Sequence, residues 1–336
     1  MKLTMVAHPP MPRNLQLLRQ LGIDHAVHYD MAGLPVDLSA LTAIRERYAA
    51  AGLACKIAES GPAIDRIVMG KDGWQDQTES FRRILGHLGA LGVAVVAYNF
   101  MPQISGDAMV IRTAFDRATR GGALTSGFRL ADLTDATLPH SESPIPRDRM
   151  WDNLERFLRA VIPAAEAAGV RLAMHPDDPP MPMLCGLQRI MGTPQDFDRL
   201  LAVSPSESNA ITLCFGCFAE AGHDIPALIH RWAGRVAFVH VRDIRGTADD
   251  FIETFPDDGQ TDMLAAFQAL TMTGFDGYVR SDHAPQLITD SDTANDGYAM
   301  AGHIFAIGYL RGLAQVAELA AERGAERGAK RAGTGL

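Results

Sequence analysis

Short apolar runs alternate with amphipathic segments along most of the chain, and this alternation predicts the fold. Five to eight residues in each apolar run, with turn residues on both sides, are typical of buried β-strands. The runs are Leu3–Ala7, Ile23–His28, Leu53–Glu59, Val93–Phe100, Val170–His175, Ala210–Cys214, Val236–Val241 and Gly277–Asp282. The segments with helical periodicity are Arg13–Gln20, Leu38–Ala51, Gln75–Leu91, Arg147–Ala168, Thr193–Leu201, Ile225–Ala233, Gln260–Thr273 and Gly297–Leu313. Eight repeats of strand and helix predict an α/β fold of the (β/α)8 TIM barrel type.

The sequence favours the barrel over a doubly wound parallel sheet. Several predicted helices end in glycine, as in AAAGL, LGALGV and EAAGV, which is the usual residue between a helix and the next strand. A doubly wound sheet would usually carry a glycine-rich phosphate turn after its first strand. The corresponding turn here is HPPMP, so the barrel is the better prediction.

One connection is much longer than the others. Residues 103–147, after the fourth predicted strand, contain GDAMV, TRGGALTSG and TLPHSESPIP. Long insertions at this end of a barrel strand usually build or cover the active site, although a solvent-exposed excursion with its own small helix is the alternative. We favour a lid over the pocket. The prediction is a single domain over 1–322, followed by a flexible Ala/Gly/charge-rich tail over 323–336.

Composition narrows the partners and the compartment. The chain is 47% hydrophobic and carries a net charge of −9, with no Lys/Arg cluster before its tail. This argues against nucleic acids and anionic membranes as partners. The N-terminus lacks the apolar core of a signal peptide, and no apolar run could span a bilayer. The chain has four cysteines: Cys55, Cys185, Cys214 and Cys217. Four cysteines in a chain of this size do not form a disulfide framework, so we expect a cytoplasmic protein.

Metal-ligand residue types stand at the ends of four successive predicted strands. They are His175, Cys214, His240 and Asp282. In a barrel these strand ends surround one mouth, and adjacent strands are only ~4.8 Å apart. A lone histidine or cysteine is more often structural, but four in register are a much less probable accident. Imidazole, thiolate and carboxylate together suit Mn, Fe, Co or Zn better than Mg or Ca.

Other polar residues near these ends have two possible roles. Asp177 and Asp178 either orient His175 or cap the proline-rich loop that follows it. Cys217 completes a CFGC motif, but without a second CxxC we interpret it as a loop residue facing the pocket. Arg242 and Arg280 either bind a carboxylate or are solvated charges of the barrel.

Specific strings in the chain resemble the mannonate dehydratase family, a branch of the xylose-isomerase-like TIM barrels. The resemblance covers most of residues 53–313, in family order, and HPDDPP and YNFMP are its most specific motifs. The matching strings are IAES (57–60), YNFMP (98–102), HPDDPP (175–180), GLQRI (186–190), LCFGC (213–217), VHVRD (239–243), FIETF (251–255), SDHAP (281–285) and GYLRGL (308–313).

The resemblance implies a Mn(II)-dependent hydro-lyase that converts D-mannonate to 2-keto-3-deoxygluconate through a metal-stabilised enediolate. The family's metal ligands correspond to the four strand-end residues already named, and its acid/base pair to His283 and Tyr298. The substrate is an anionic sugar acid, and a homo-oligomer is expected. The residues expected to bind the substrate are Asn99, Arg112, Asp177, Arg242 and His303.

Several positions depart from the family pattern. The first strand ends in VAHPP instead of the usual aromatic, glycine and acidic residues, and QISGDAMVIRT replaces an Asp-Trp-Thr-Arg string, keeping only Arg112–Thr113 in displaced register. Cys217 replaces a serine, Ala284 a glycine and His303 an arginine. The alternatives are therefore a dehydratase, isomerase or epimerase acting on a different acid sugar or polyol, or a sugar-acid binding protein without turnover.

Overall fold

Strands and helices alternate along the computed structural model, which describes residues 1–29, 33–104, 110–133, 143–290 and 297–333. The strands are β1 (Lys2–Val6), β2 (His25–Tyr29), β3 (Ala54–Glu59), β4 (Val95–Tyr98), β5 (Ala114–Ala118), β6 (Leu124–Arg129), β7 (Arg171–Met174), β8 (Met183–Leu184), β9 (Leu187–Gln188), β10 (Asn209–Cys214), β11 (Val236–Val241), β12 (Asp243–Thr247), β13 (Asp250–Thr254) and β14 (Tyr278–Ser281). The helices are α1 (Pro12–Gln20), α2 (Leu38–Ala50), α3 (Asp65–Met69), α4 (Trp74–Ala90), α5 (Arg147–Ala168), α6 (Pro194–Val203), α7 (Phe215–Glu220), α8 (Ile225–Arg231), α9 (Met263–Met272) and α10 (Met300–Gly333).

Eight parallel strands close into a barrel in the order β1-β14-β11-β10-β7-β4-β3-β2. Each corresponds to one of the eight apolar runs, so the predicted (β/α)8 fold is confirmed. Small and branched side chains fill the inside of the barrel, among them Val27, Ile57, Ala173 and Ala210. The outer faces of the strands pack against the helices, and this explains why the runs are apolar throughout and do not alternate.

Helix α5 shows how local sequence sets these elements. Its buried face carries Leu154, Phe157 and Val161 at helical spacing, and it packs against the barrel and α4. The helix ends at Gly169, whose φ of 66° lies in the left-handed region that glycine adopts without strain. The chain then enters β7, and the site residue His175 follows that strand directly.

The predicted insertion lies between β4 and β7, and its described part forms two strands outside the barrel. Strands β5 and β6 are antiparallel, and β6 pairs with β13 of the hairpin β12–β13, which gives a four-stranded sheet in the order β12-β13-β6-β5. Gly127 of β6 permits this approach, because a Cβ there would lie 2.9 Å from the carbonyl oxygen of Phe251. Residues 105–109 and 134–142 of the insertion lie outside the described residues.

Some elements of the structure were not predicted from the sequence, and the flexibility of the C-terminal tail remains a prediction. The hairpin β12–β13 and the short helices α3 and α7 are absent from the sequence prediction. Helix α10 continues to Gly333, so the tail predicted over 323–336 is helical at its start, and its flexibility stays a prediction.

By length and composition alone, the part Met300–Gly324 of helix α10 could cross a membrane. Its buried residues Ile307 and Leu310 belong to the apolar clusters of the barrel, and the helix also packs against α9.

Candidate active site

Four residues of metal-ligand type meet at one end of the barrel. His175 follows β7, Cys214 ends β10, His240 lies in β11 and Asp282 follows β14. These strands are consecutive around the barrel, so the four side chains come from neighbouring strand ends. The predicted convergence is therefore present.

The distances between the four side chains suit a shared cation. Cys214 Sγ lies 3.7 Å from Asp282 Oδ2, and His240 Nδ1 lies 3.9 Å from the same oxygen. The rings of His175 and His240 have centroids 5.0 Å apart. The possible ligand atoms of Cys214, His240 and Asp282 all lie within 4.8 Å of one another. His175 offers a ligand atom within the same distance of Cys214 and Cys217, so Cys214 is common to both groups.

The hydrogen bonds around the cluster leave ring nitrogens of its two histidines open. Within the described ranges, neither ring nitrogen of the buried His240 makes a hydrogen bond, and such orphaned atoms are costly unless a ligand satisfies them. Glu59 Oε2 lies 3.6 Å from His240 Nε2, which turns Nδ1 toward Asp282. His175 Nδ1 lies 2.7 Å from its neighbour Pro176 O, so Nε2 is its available ligand. This donor set fits a borderline divalent metal.

Charges nearby favour the ligand forms of the thiol and the carboxyl. Burial opposes ionisation of Cys214, but Cys217 and Arg242 outweigh it and hold the pKa of the thiol well below its usual value. Burial likewise opposes ionisation of Asp282, and Arg280 outweighs it and keeps the pKa of that carboxyl well below its usual range. A thiolate and a carboxylate are the forms that coordinate metals.

A polar cavity of about 260 Å³ lies over the cluster. Three of the four candidate ligands line it, and the barrel also contributes Glu59, Asn99 and Arg280. The insertion closes one side with Val110, Arg112, Phe115 and Ser126. The insertion therefore forms part of the pocket wall, as the sequence led us to expect, and whether it moves as a lid stays a prediction.

His283 and Tyr298 both line this cavity and contact each other edge to face. Their ring centroids are 5.5 Å apart, and Tyr298 also stacks on Tyr29 at 5.2 Å. Gly297, with a φ of 88°, presses against the imidazole, since a Cβ there would lie 2.7 Å from His283 Cγ. Burial raises the pKa of Tyr298, whereas for His283 burial is outweighed by Glu253 and the pKa also rises. Both groups thus carry exchangeable protons beside the cavity.

Two buried arginines hold the carboxylates behind the site. Arg112 binds Asp178 through two bonds of 2.7 and 2.9 Å and Glu253 at 2.8 Å. Arg242 donates to Glu220 at 2.7 Å, and also to Asp178, Glu253, Asp282 and Cys217. These bonds use most donors of both guanidinium groups, so the arginines fix the acidic residues in place.

The structure brings some expected substrate-binding residues to the cavity and others not. Asn99 and Arg112 line it, and the buried Asn99 Oδ1 has no hydrogen-bond partner in the part of the chain that the structure describes. Arg242 and His303 are not among the described residues that line it. His303 is buried, with its ring nitrogens 2.8 Å from Ser281 Oγ and 3.1 Å from the carbonyl of Gly297. The substrate contacts expected of Arg242 and His303 stay predictions.

The two aspartates that the sequence left open have separate tasks. Asp177 Oδ2 accepts a 2.7 Å hydrogen bond from the backbone N–H of Met191, so it caps the loop and does not reach the cavity. Asp178 lines the cavity and binds Arg112 and Arg242. The expected substrate contact of Asp177 therefore stays a prediction.

Sequence reasoning gave no role to several residues that shape the site. Glu253 contacts His283, Glu220 contacts Arg242, and Glu59 lies against both His240 and Arg280. Glu253 and Glu59 lie in the strings FIETF and IAES, both of which belong to the family resemblance. These two strings are the sequence signal from which the roles of Glu253 and Glu59 could have been inferred.

A (β/α)8 barrel with two imidazoles, a thiolate and a carboxylate beneath a cavity bearing a histidine and a tyrosine defines a metal-dependent barrel enzyme. The chain matches the family profile described as D-mannonate dehydratase (UxuA) over residues 12–140 and 129–323. It therefore belongs to the mannonate dehydratase family, whose members are metal-dependent hydro-lyases.

Individual relatives agree with this membership. The mannonate dehydratase of Bacillus subtilis (strain 168) is 30% identical, covering 89% of this chain and 91% of the relative. That of Chromohalobacter salexigens is 31% identical, covering 91% and 95%. The crystal structure of mannonate dehydratase from Streptococcus suis serotype2 superposes with a TM-score of 0.84 at 28% identity, covering 96% of each chain. An L-ribulose 3-epimerase, at 17% identity and a TM-score of 0.61, shares the fold alone.

Proposed function

We propose that this enzyme dehydrates D-mannonate to 2-keto-3-deoxygluconate with Mn²⁺ as its metal, in the cytoplasm and as a homo-oligomer. The observation that carries the proposal is the convergence of His175, Cys214, His240 and Asp282 below a cavity that His283 and Tyr298 share. Family membership supplies the reaction, and these contacts supply residues that suit it.

The four ligand candidates would hold the metal through His175 Nε2, Cys214 Sγ, His240 Nδ1 and a carboxylate oxygen of Asp282. When bound there, a divalent cation supplies Lewis acidity toward the substrate's carboxylate and 2-hydroxyl, which makes the C2 proton easier to remove. Glu59 and the carbonyl of Pro176 orient the two imidazoles.

The proton transfers fall to His283 and Tyr298. One takes the proton from C2, and the other protonates the 3-hydroxyl, which leaves as water. The resulting enol then becomes the 2-keto acid. A histidine and a tyrosine suit these transfers because both can exchange a proton by hydrogen bonding without leaving their packed positions.

Arg280 is the cation best placed to hold the substrate's negative charge. It is buried and lines the cavity. Its Nη2 pairs with Glu59 and Asp282, whereas its Nε and Nη1 make no hydrogen bond within the described ranges. Asn99 offers nearby, for a hydroxyl group, an oxygen that has no partner among the described residues. In Arg112, by contrast, Nε, Nη1 and Nη2 all donate to Asp178 or Glu253. A small cavity with these groups suits a polar, anionic molecule of sugar size.

The test is turnover of a substrate panel by Mn-loaded protein. D-Mannonate, other aldonates and uronates are incubated separately, and 2-keto-3-deoxy acids are measured, with sugar interconversion followed by chromatography. We expect a 2-keto-3-deoxy acid from D-mannonate. Product from another aldonate alone would replace the substrate but keep the reaction, and interconversion without dehydration would replace the reaction.

The role of His283 is tested separately from metal binding. His283→Asn should retain the metal content of the wild type and lower kcat by ~10²–10⁴-fold, the usual contribution of a proton-transfer group. Wild-type kcat in this variant would remove His283 from the proposed reaction.

A further inference from the structure

The carboxylate of Glu253 lies buried directly behind His283. Its Oε1 lies 2.8 Å from His283 Nδ1, and its Oε2 accepts a hydrogen bond from Ser126 Oγ. Glu253 is 1% exposed and is not part of the cavity wall. It therefore reaches the cavity only through the residues that it holds.

The same carboxylate is also bound by two cations. Arg112 and Arg242 donate to Oε1 at 2.8 and 3.0 Å. Burial opposes its ionisation, but His283, Arg112 and Arg242 outweigh burial and hold the pKa of Glu253 well below its usual range. A carboxylate neutralised in this way is a weak base. It keeps its hydrogen bond to the imidazole without removing the imidazole's proton.

The imidazole is held on its other side as well. Gly297 presses against Cβ, Cγ and Cδ2 of His283, which excludes a ring shift in that direction. Within the described ranges, Glu253 is the hydrogen-bond partner of Nδ1, and no partner of Nε2 is present. The ring therefore has one fixed nitrogen and one nitrogen available to the cavity.

We propose that Glu253 is a positioning residue: it keeps the Nδ1 proton of His283 in place and so directs Nε2 to the substrate. The proposal rests on the proposed function, which gives proton transfer to His283. The arrangement follows the logic by which a buried carboxylate orients a catalytic imidazole without becoming protonated itself.

The insertion takes part through Ser126. Residue Gly127 lets strand β6 approach β13 closely, and the neighbouring Ser126 then reaches Glu253. Ser126 Oγ donates to Glu253 Oε2, the carboxylate oxygen that does not contact the imidazole. The insertion thereby sets the orientation of the Glu253 carboxylate, and through it that of His283.

The first test reads the imidazole directly and needs no substrate. Protein labelled with ¹⁵N-histidine is studied by long-range ¹H–¹⁵N correlation at a pH where the ring is neutral, and the His283 signals are assigned by their loss in His283→Asn. We expect the tautomer protonated at Nδ1 in the wild type and its loss in Glu253→Gln. Asp178→Asn removes the other carboxylate that both arginines share but does not touch His283, so this control should keep the wild-type tautomer.

The second test is a double-mutant cycle on kcat. Glu253→Gln alone should lower kcat by ~10²-fold with KM within ~3-fold of the wild type, because positioning acts on the chemical step. In the His283→Asn background the same change should cost less than ~2-fold, since residues that act as one unit are not additive. If Glu253→Gln does not fold, Ser126→Ala is measured instead. The same criteria apply: a lower kcat with little change in KM, and a much smaller effect in the His283→Asn background.

The outcomes separate this proposal from the proposed function. A wild type that yields no dehydrated product sinks the function, while the tautomer still decides the role of Glu253. Protonation of His283 at Nε2 in the wild type, an unchanged tautomer in Glu253→Gln, or equal losses in both backgrounds of the cycle would each overturn positioning by Glu253.

Discussion

Replacing Arg242 by methionine tests whether the buried charge cluster depends on this one cation. Its side chain is fully buried and contacts Asp178, Glu220, Glu253 and Asp282. Methionine replaces the aliphatic part of the side chain but carries no charge. Removing one partner of a buried ion pair usually costs ~3–5 kcal/mol, because the remaining charge stays desolvated.

The remaining contacts place the expected cost at the lower end of that range. Asp178 and Glu253 keep Arg112, and Asp282 keeps Arg280. Glu220 loses its cation, but burial raises the pKa of Glu220 to about 8 even beside Arg242, so this carboxyl is largely neutral at pH 7 both before and after the substitution. We therefore expect Arg242→Met to lower the free energy of unfolding by about 3 kcal/mol, or Tm by about 4 °C for a chain of this length.

The assay is urea unfolding followed by circular dichroism, with EDTA and with Mn²⁺, so that stability and metal binding are separated. Arg245→Met, three residues further along in β12, is the matched control. Its side chain is 55% exposed and pairs with Asp258 at the surface, where such pairs contribute at most ~1 kcal/mol. If both variants fall within ~1 kcal/mol of each other in EDTA, the cluster does not depend on the charge of Arg242.

Three further outcomes follow from the contacts. Cys214→Ala should lose most of the metal that atomic emission detects after dialysis, while Cys185→Ala should keep it; equal contents would exclude Cys214 as a ligand. Chelation should lower the wild-type Tm by several degrees and Mn²⁺ should restore it, because only the folded cluster binds the ion; an unchanged melting curve would argue against a metal in the folded site. Gly259→Ala places a Cβ 2.1 Å from the carboxyl carbon of Asp243 and should lower the free energy of unfolding in urea by ~1–3 kcal/mol. Gly86→Ala, in open space within α4, should raise it by ~0.5–1 kcal/mol. Equal effects of the two glycine substitutions would contradict the packing around Asp243.

The barrel was predictable because each of its strands is buried on both faces and leaves a local signal. An apolar run followed by a glycine-terminated helix identifies a βα unit without knowledge of its neighbours. The four candidate ligands were predictable for the same reason. Parallel strands place their ends at one edge, so the position of His175 or Asp282 at a strand end already implies that they meet.

The sheet outside the barrel was not predictable from such signals. Ser126 and Glu253 are 127 residues apart in sequence, and nothing in FIETF by itself indicates that it pairs with a strand of the insertion. Asp177 and Asp178 are adjacent, yet one caps a loop and the other binds two arginines. Which of two neighbouring carboxylates faces a cavity depends on the path of the loop, and the residue types do not encode it.

The four-stranded sheet beside the mouth joins connections that follow different barrel strands. Strands β5 and β6 come after β4, and β12 and β13 come after β11, while Leu124 also pairs with Gln286 after β14. Loops of a barrel are usually free to vary independently, and this freedom lets one scaffold acquire many specificities. Here three of them share backbone hydrogen bonds, so an insertion, deletion or exchange in one requires matching changes in the others. To change the substrate specificity of this enzyme, the three joined loops must therefore be redesigned together and not one at a time.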